Sequence, residues 1–378
     1  MRIGIITLID VNNYGGALQA TAVQDYLCKL GHDAVLLHVR YNKRRNPVLK
    51  FFERPGKSVV ELIKERKFAA FRERHFHTGG LQTYGLEEFL AAAPDFDAYV
   101  CGSDQIWNPG NCADPLRRRL FFLNFGEAGA KRVSYAASWG AKTLDDGVRQ
   151  SVADCLGRLD AISVREKSGV EIVEELGGQA LWVPDPVLLH DADYWEDMAD
   201  EAVEKATGDT LFKCEYRWTP CVPFADVQNL LCGKFGWDVV VPFSNKPLRE
   251  FALTRCLSPQ AWLDNMRSAS FVLTNSYHAL LFSIIFKRQF LSIPLIGKYA
   301  GMNERIFSVT ERLGLEDRLL TEFQPDKIIE LVEKPIDWER VDRALADWCH
   351  EADAFLSAAL EPTEKTSNTQ HRSVEPET

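Results

Sequence analysis

The fold is decided near the start of the chain, where residues 2–39 have the sequence RIGIITLIDVNNYGGALQATAVQDYLCKLGHDAVLLHV. Arg2–Leu8 is a short run rich in β-branched residues, and Ala34–Val39 is a second apolar run. Between them, Ala17–Leu30 carries apolar residues at helical spacing, and Gly31 ends that segment. A strand, a helix and a strand joined by short turns predict a parallel βαβ unit.

The same alternation of strands and helices continues through the chain. Later buried strands are predicted at Ala98–Cys101, Val133–Ala137, Ala161–Val164, Leu181–Val183, Trp237–Val241, Phe271–Leu273 and Phe290–Ile293, with helical segments between them. The fold class is therefore α/β, with two doubly wound Rossmann-like domains. The predicted units are residues 1–190 as the N-terminal domain, 191–336 as the C-terminal domain, 337–360 as a C-terminal helix, and 361–378 as a disordered tail.

Composition indicates a soluble cytoplasmic protein. Of 378 residues, 46% are hydrophobic, which is ordinary for a globular protein of about this size. The longest apolar run, Ala279–Phe286, contains one serine and is far shorter than the roughly 20 residues of a membrane-spanning helix. No signal peptide is recognised, and the nine cysteines are scattered without a C-x-x-C pair, which favours reduced thiols over a disulfide framework or a zinc ribbon.

Charge is distributed unevenly along the chain. The formal net charge of −10 argues against nucleic-acid binding, yet residues 40–77 hold twelve Lys or Arg against four Glu. Within this basic insertion, Ser58–Phe76 is predicted to form an amphipathic helix with its apolar residues on one side: Val59, Leu62, Ile63, Phe68 and Phe71. Two interpretations stay open. The helix docks on an anionic inner membrane leaflet or grips the lipid diphosphate of an acceptor, or it packs on its own domain with a solvated polar face.

In open α/β sheets, ligands bind outside the carboxyl ends of the strands, so the residues that follow each strand are candidate binding residues. After the first strand come Asn13, Tyr14, Gly15 and Gly16. Glycines at a helix N-terminus let backbone N–H groups approach an anion, although a tight turn needs them equally. The pattern differs from the G-x-G-x-x-G dinucleotide fingerprint.

The strand Ala98–Cys101 is followed by Ser103, Asp104, Gln105 and Trp107. Trp107 is a candidate for stacking on a sugar ring, and Asp104 for accepting a hydroxyl proton. The alternative is that Asp104 caps a turn and that Trp107 belongs to the hydrophobic core.

Three further strand ends in the first half carry polar candidates. Ser138 closes one strand, and Asp185 lies in a rigid turn between two prolines. Arg165 and Glu166 directly follow another strand, where an arginine can hold a carboxylate or phosphate through a pair of parallel hydrogen bonds. The alternative is a surface ion pair between Arg165 and Glu166.

The second half supplies a histidine and a lysine. His278 lies in the first turn of an apolar helix, just after Asn275 and Ser276, and Lys298 follows the next strand. Arg165, His278 and Lys298 are therefore expected at the facing edges of two domains, where a cleft suits a small polyanion. The sequence contains no H-x-x-x-H pair and no acidic triad, so no metal site is predicted.

Together, several strings resemble the polysaccharide pyruvyl transferase family: NNYGGALQATAVQ, VCGSDQIWNP, SYAASWG, AISVREKSG, PDPVLL and NSYHALLFSIIF, with the later GK and NERI. The resemblance implies a fold similar to the two-domain glycosyltransferase-B architecture, with the active site in the interdomain cleft. It also implies transfer of the carboxyvinyl group of phosphoenolpyruvate to a sugar, without a further cofactor. The acceptors of such enzymes are capsule, exopolysaccharide or cell-wall glycans, often still linked to a lipid.

Within this resemblance, Arg165 and His278 match the residues tied to phosphoenolpyruvate, and Lys298 matches less closely. The implied hypothesis makes His278 the acid or a phosphate clamp, while Arg165 holds carboxylate or phosphate and Lys298 neutralises the leaving phosphate. Asp104 or Asp185 then orients or deprotonates the acceptor.

Two other functions stay open at this point. One is a glycosyltransferase that uses a nucleotide sugar on the same fold, and the other is an inactive glycan-binding or scaffold member of a polysaccharide assembly complex. One segment departs from the family pattern: Leu211–Cys221 is LFKCEYRWTPC, where an apolar strand is usual, and this leaves the acceptor sugar undetermined.

Overall fold

A computed structural model describes residues 1–9, 11–41, 55–126, 129–202, 207–216, 219–242 and 256–361, with the backbone alone for 55–59. The strands are β1 Arg2–Ile6, β2 Asp33–Leu36, β3 Val39–Arg40, β4 Tyr84–Gly85, β5 Ala98–Cys101, β6 Lys131–Ala137, β7 Ala161–Val164, β8 Leu181–Trp182, β9 Thr210–Cys214, β10 Asp238–Val240, β11 Phe271–Thr274 and β12 Phe290–Ser292. The helices are α1 Tyr14–Lys29, α2 Pro55–His75, α3 Leu86–Ala91, α4 Pro109–Ala113, α5 Pro115–Phe121, α6 Asp146–Leu156, α7 Lys167–Glu175, α8 Ala192–Asp200, α9 Phe224–Phe235, α10 Pro259–Ser268, α11 Tyr277–Ile285, α12 Glu304–Leu313, α13 Pro325–Glu333 and α14 Trp338–Ala359. Short 3₁₀ helices span Pro186–Leu189, Gly297–Asn303 and Glu316–Arg318.

Two parallel sheets organise these elements. The first has the strand order β2-β1-β5-β6-β7-β8, and the second has the order β10-β9-β11-β12. Every pairing within them is parallel. The predicted α/β class with two Rossmann-like domains is therefore confirmed.

Both faces of the first sheet are covered, which explains its continuous apolar strands. Ile3 and Ile5 pack in one hydrophobic cluster together with Leu356 of α14, whereas Ile6 packs in another on the opposite face. A strand buried on both sides gains from apolar residues at every position rather than at alternate ones. The run RIGII thus forms a central strand because it has no polar face.

In the second half, the unusual segment after residue 210 begins as a central strand. β9 lies between β10 and β11, and its Leu211 and Phe212 are fully buried. Lys213 is accommodated because its Nζ donates a hydrogen bond to Gln228 Oε1 at 2.8 Å. The departure from an apolar pattern therefore falls at the carboxyl end of the strand.

The amphipathic helix of the basic insertion corresponds to α2, but its apolar residues do not share one side. Phe68 and Phe71 are buried in the core, whereas Leu62 is 60% and Ile63 is 40% exposed. At about 100° per residue, Leu62 and Ile63 project away from the two phenylalanines, so the predicted single apolar face is wrong. The helix packs through one face and presents two aliphatic side chains on another. Residues 42–54 of the insertion lie outside the described residues.

The C-terminal helix returns to the first sheet. Tyr26 Oη donates to Asp353 Oδ1 at 2.8 Å, and Trp348 Nε1 donates to Trp182 O at 3.0 Å. α14 therefore joins the end of the chain to the domain that begins it. Of the predicted tail, residues 362–378 lie outside the described residues.

Each sheet has one point where the chain reverses its direction of winding. In the first sheet this point lies between β1 and β5, and in the second it lies between β9 and β11. The connections leave such neighbouring strands in opposite directions, which opens a crevice at their carboxyl ends. Asn13, Ser103 and His278 follow strands at these points, whereas Arg165 and Asp185 follow β7 and β8 at the same edge of the first sheet.

Candidate active site

The first helix brings a glycine against the histidine of the other half. Asn13 caps α1, with its side-chain Oδ1 accepting from Gly16 N at 3.1 Å. Gly15 then faces the imidazole of His278: a Cβ at residue 15 would overlap Nδ1 and Cγ and would lie 2.6 Å from Cε1. Only a residue without a side chain leaves room for the ring.

A buried ion pair next to this contact links four of the predicted residues. Arg165 Nη1 donates to Asp185 Oδ2 at 2.5 Å and to Ser103 Oγ at 3.2 Å. His278 Nε2 lies 3.6 Å from the same Asp185 oxygen. The side chains of Arg165 and Asp185 have no exposed surface. Asp185 therefore connects the arginine of the first half to the histidine of the second.

The charges of this cluster support one another. Burial alone would raise the pKa of Asp185, but the Arg165 guanidinium and His278 outweigh it and hold that pKa well below its usual range. An aspartate in this state is a weak base. Asp185 thus lies fully buried between Arg165 and His278, and its action on an acceptor hydroxyl stays a prediction.

Glu166 holds the loop after β6. Its Oε1 accepts hydrogen bonds from Ser138 Oγ at 3.1 Å, Trp139 N at 2.6 Å and Gly140 N at 3.0 Å. Glu166 and Arg165 are both buried, so the alternative of a surface ion pair between them is wrong. Ser138 is likewise fully buried and bound to Glu166, which contradicts its prediction as a substrate-binding residue.

The loop after β5 supplies the most accessible carboxylate of the cluster. Asp104 has 15% of its side chain exposed, and its Oδ1 lies 3.6 Å from Arg165 Nη2. Its φ of 63° lies in the left-handed region, which is uncommon for residues other than glycine. Beside it, Gln105 packs against the backbone of Gly140, where a Cβ would lie 2.7 Å from the amide carbon. Ser103 and Asp104 are thus brought to the Arg165–Asp185 pair as expected from the strand ends.

Two predicted aromatic candidates belong to the hydrophobic core instead. Trp107 is fully buried, stacks on Phe122 at 4.7 Å, and donates from Nε1 to Phe121 O at 2.9 Å. This burial contradicts the prediction that Trp107 stacks on a sugar ring. Tyr14 stacks on Trp262, and its hydroxyl lies within hydrogen-bonding distance of two backbone carbonyl oxygens, which contradicts its prediction as a substrate-binding residue.

The remaining candidates of the second half are Asn275, Ser276 and Lys298. Asn275 Oδ1 accepts from Tyr216 N at 2.6 Å, so this side chain fixes the loop after β9. Ser276 occupies the N-cap position of α11. Lys298 is exposed on the 3₁₀ helix that follows β12, with its Nζ 4.9 Å from the centre of the Tyr299 ring.

Two residues that the sequence reasoning did not select also lie in the cluster. The ring of Tyr277 carries the Arg165 guanidinium at 4.6 Å and the Arg305 guanidinium at 5.1 Å from its centre. Both cations interact favourably with the π-face of one tyrosine. The strings SYHA and NERI contained these residues, but nothing in their spacing indicated that they would meet.

Several buried polar atoms of the cluster have no hydrogen-bond partner among the described residues. They are Arg165 Nε and Nη2, Glu166 Oε2, Tyr277 Oη and His278 Nε2. Buried polar groups are normally paired, so a set of them at one place points to a ligand that supplies the partners. Among the residues described, no group of three or more His, Cys, Asp or Glu side chains is arranged to hold a metal ion.

Solved structures resemble this chain over most of its length. UDP-GlcNAc 2-epimerase from Neisseria meningitidis bound to UDP-GlcNAc superposes with a TM-score of 0.51 at 10% identity, over 95% of this chain and 99% of that chain. The UDP-N-acetylglucosamine 2-epimerase from Rickettsia bellii superposes with a TM-score of 0.48 at 11% identity, over 94% of this chain and 96% of that chain. The spinosyn rhamnosyltransferase SpnG superposes with a TM-score of 0.39 at 11% identity, over 94% of this chain and 96% of that chain. At these identities the likeness to the first protein shows the fold alone.

Comparison with curated protein sequences finds no match. The sequence model of the family described as "Polysaccharide pyruvyl transferase" matches residues 13–295, which is most of the chain and includes the strands from β2 to β12. The matched region contains Arg165, Asp185 and His278. This chain therefore belongs to the polysaccharide pyruvyl transferase family, a family of transferases.

Proposed function

We propose that the chain transfers the carboxyvinyl group of phosphoenolpyruvate to a sugar of a cell-surface glycan or of its lipid-linked precursor, forming a pyruvate ketal and releasing phosphate. The observation that carries the proposal is the Arg165–Asp185–His278 cluster at the carboxyl ends of two facing sheets. Its unpartnered buried donors suit a small ligand rich in anionic oxygens. Membership of the family makes phosphoenolpyruvate the natural choice of that ligand.

The chemistry needs an acid, an anion site and a base. A proton added to the methylene carbon of phosphoenolpyruvate makes the central carbon electrophilic, and a first sugar hydroxyl forms a C–O bond to it and gives up its proton. A second hydroxyl then forms another C–O bond to the same carbon as the bond to the phosphate oxygen breaks, and its proton leaves with the phosphate. The products are the ketal, which carries a new methyl group, and inorganic phosphate.

In this proposal His278 is the acid. Its Nε2 lies 3.6 Å from the Asp185 carboxylate, a contact that orients the ring. The contact with Gly15 fixes the opposite edge of the ring. General acid–base catalysis of this kind raises the reaction rate by about 10²–10⁴-fold.

The two aspartates take different parts in the proposal. Asp185 is committed to Arg165, so Asp104, whose carboxylate retains solvent contact, is the group that accepts the acceptor's proton. Lys298 is exposed on the segment that leads to α12 and neutralises the departing phosphate. No cofactor is needed, because phosphoenolpyruvate itself brings the activated carbon.

The test combines the protein with phosphoenolpyruvate and a panel of terminal galactosides and N-acetylhexosaminides. Phosphate release and the mass of the acceptor are followed together. The expected result is phosphate release matched by gain of one carboxyethylidene group on one class of sugar. Tight binding of a nucleotide sugar, with sugar transfer and no ketal formation, would instead show that the protein is a glycosyltransferase. Acceptor binding without any turnover would make the chain a glycan-binding member of an assembly.

We also propose that the protein acts in the cytoplasm and contacts an anionic membrane through α2. Among the residues described, no helix is both long and apolar enough to cross a membrane. α2 exposes the aliphatic side chains of Leu62 and Ile63 within the basic insertion. Exposed aliphatic side chains together with surrounding Lys and Arg residues favour binding to anionic lipid surfaces. Flotation with phosphatidylglycerol vesicles should exceed flotation with phosphatidylcholine vesicles. Replacing both Leu62 and Ile63 by serine should abolish that difference, and equal flotation of the unaltered protein would reject the contact.

A further inference from the structure

The position of Arg305 follows from the way α12 begins. Asn303 forms two hydrogen bonds with the backbone of Leu295, which ties the segment after β12 to the start of the helix. One turn later, Ser308 Oγ accepts from Lys167 N at 3.0 Å and docks α12 on the start of α7. Arg305, on the first turn between these two anchors, is directed at Tyr277.

Arg305 is a largely buried cation without an ion-pair contact among the described residues. It is only 7% exposed, and no carboxylate lies within 4.0 Å of it among the described residues. Its one hydrogen bond there is a long one, from Nε to Met302 O at 3.4 Å. Arg165, in contrast, is paired with Asp185. A buried guanidinium without a partner is unfavourable for folding, so its retention needs another explanation.

The neighbours of Arg305 point to an anion. Burial and the positive charge of Arg165 lower the pKa of Arg305, and together they outweigh the opposing effect of Asp104 and Glu166. The two guanidinium groups lie 4.6 Å and 5.1 Å from the centre of the Tyr277 ring. Arg165 Nη2, Tyr277 Oη and His278 Nε2 are buried nearby without hydrogen-bond partners among the described residues. An anionic group placed among these donors would offset the repulsion between the Arg165 and Arg305 guanidinium groups. It would also accept hydrogen bonds from the unpaired donor atoms.

We propose that Arg305 binds an anionic group, the phosphate or the carboxylate, of the donor substrate. The inference rests on the proposed function, because it assigns a further binding residue to the same site. The two arginines then have different roles. Arg165 is paired with Asp185, whereas Arg305 forms its ion pair with the bound substrate.

The test measures binding by calorimetry rather than turnover, using phosphoenolpyruvate, inorganic phosphate and pyruvate as separate probes. Arg305→Met should weaken phosphoenolpyruvate binding by about ten- to hundredfold, the usual worth of hydrogen bonds to a charged group. Arg312→Met is the matched control, because Arg312 lies on the same helix but pairs with Glu351 at the surface. The probe whose affinity falls with Arg305→Met, phosphate or pyruvate, identifies the group that Arg305 holds.

Thermal unfolding separates binding from a structural role. Without ligand, Arg305→Met should melt no lower than the unaltered protein, because it removes an uncompensated buried cation, yet it should lose the rise in melting temperature that phosphoenolpyruvate gives. If the Met variant does not fold, the same binding and melting measurements are made on Arg305→Gln, whose side chain is polar but uncharged.

The outcomes distinguish this inference from the function on which it rests. Unchanged binding by the Met or Gln variant would overturn the role of Arg305 while leaving the donor intact. If the unaltered protein binds none of the three probes, both the donor and the inference are wrong. If phosphoenolpyruvate binding depends on Arg305 but no ketal forms on any acceptor, the inference stands and the proposed reaction fails.

Discussion

Gly15 and His278, which are far apart in the sequence, touch each other in the fold so closely that any side chain at residue 15 would displace the imidazole. The contact joins the N-terminus of α1 in the first half to the first turn of α11 in the second. The glycine pair of the NNYGG loop is thus explained in part by the histidine that it accommodates, as well as by the turn it forms.

The first prediction follows from this contact. Gly15→Ala should lower kcat/KM at least about tenfold, because a misplaced catalytic group loses the rate that correct orientation provides. Steady-state kinetics with a saturating acceptor measure the effect. Gly233→Ala is the control: Gly233 lies in α9 with open space around its Cα, so alanine there should keep full activity and add about 0.5–1 kcal/mol of stability. Full activity of Gly15→Ala would show that the ring position is unimportant.

The second prediction concerns His278 as an acid. His278→Gln, which keeps a hydrogen-bonding side chain but cannot donate a proton to carbon, should reduce kcat by about 10²–10⁴. Binding of phosphoenolpyruvate should change much less, which separates an acid from a phosphate clamp. His350→Gln, on the exposed face of α14, is the matched control and should behave as the unaltered protein. A loss confined to binding, with kcat retained, would assign His278 to the clamp.

Much of this site was predictable because ligands lie at the carboxyl ends of parallel strands, and that rule requires only the positions of the strands and of the residues after them. Arg165, Asp185, Ser103 and His278 were selected in this way, and the structure brings them together. The rule cannot tell which way a side chain points. Trp107 comes after a strand like its neighbours, but its indole turns into the core.

The remaining parts needed the tertiary structure. Arg305 follows a 3₁₀ segment rather than a strand, so its approach to Tyr277 depends on how α12 docks on α7. The single apolar face predicted for α2 failed for a simpler reason, since Leu62 and Phe68 are six residues apart and helical geometry places them on different faces.

The third prediction is that breaking the buried ion pair destabilises the fold. Asp185→Asn leaves the fully buried Arg165 without its counter-charge and should cost about 3–5 kcal/mol in the free energy of unfolding. Urea denaturation measures it. The exposed pair of Arg149 and Glu175 serves as the control, where Glu175→Gln should cost at most about 1 kcal/mol. Combining Asp185→Asn with Arg165→Met should recover much of the loss. No recovery would mean that Asp185 stabilises the fold through other contacts.

The last prediction uses the pKa of Glu166. Burial raises this pKa above 4.5, against the lowering effect of Arg165 and the hydrogen bonds of the β6 loop. The folded state therefore binds the proton more tightly than the unfolded state, and this stability is present below about pH 4.5 and is lost as the pH rises through the raised pKa. Glu166→Gln keeps the oxygen that accepts from Ser138, Trp139 and Gly140 but does not titrate.

Between pH 4.5 and pH 8, the free energy of unfolding of the unaltered protein should therefore fall relative to that of Glu166→Gln. Urea denaturation of both proteins across this range gives the difference directly. A difference that stays constant, or that grows in favour of glutamate as the pH rises, would show that Arg165 and the β6 loop outweigh burial. In that case Glu166 is an anchoring anion, and its unpartnered Oε2 is no proton donor for a bound ligand.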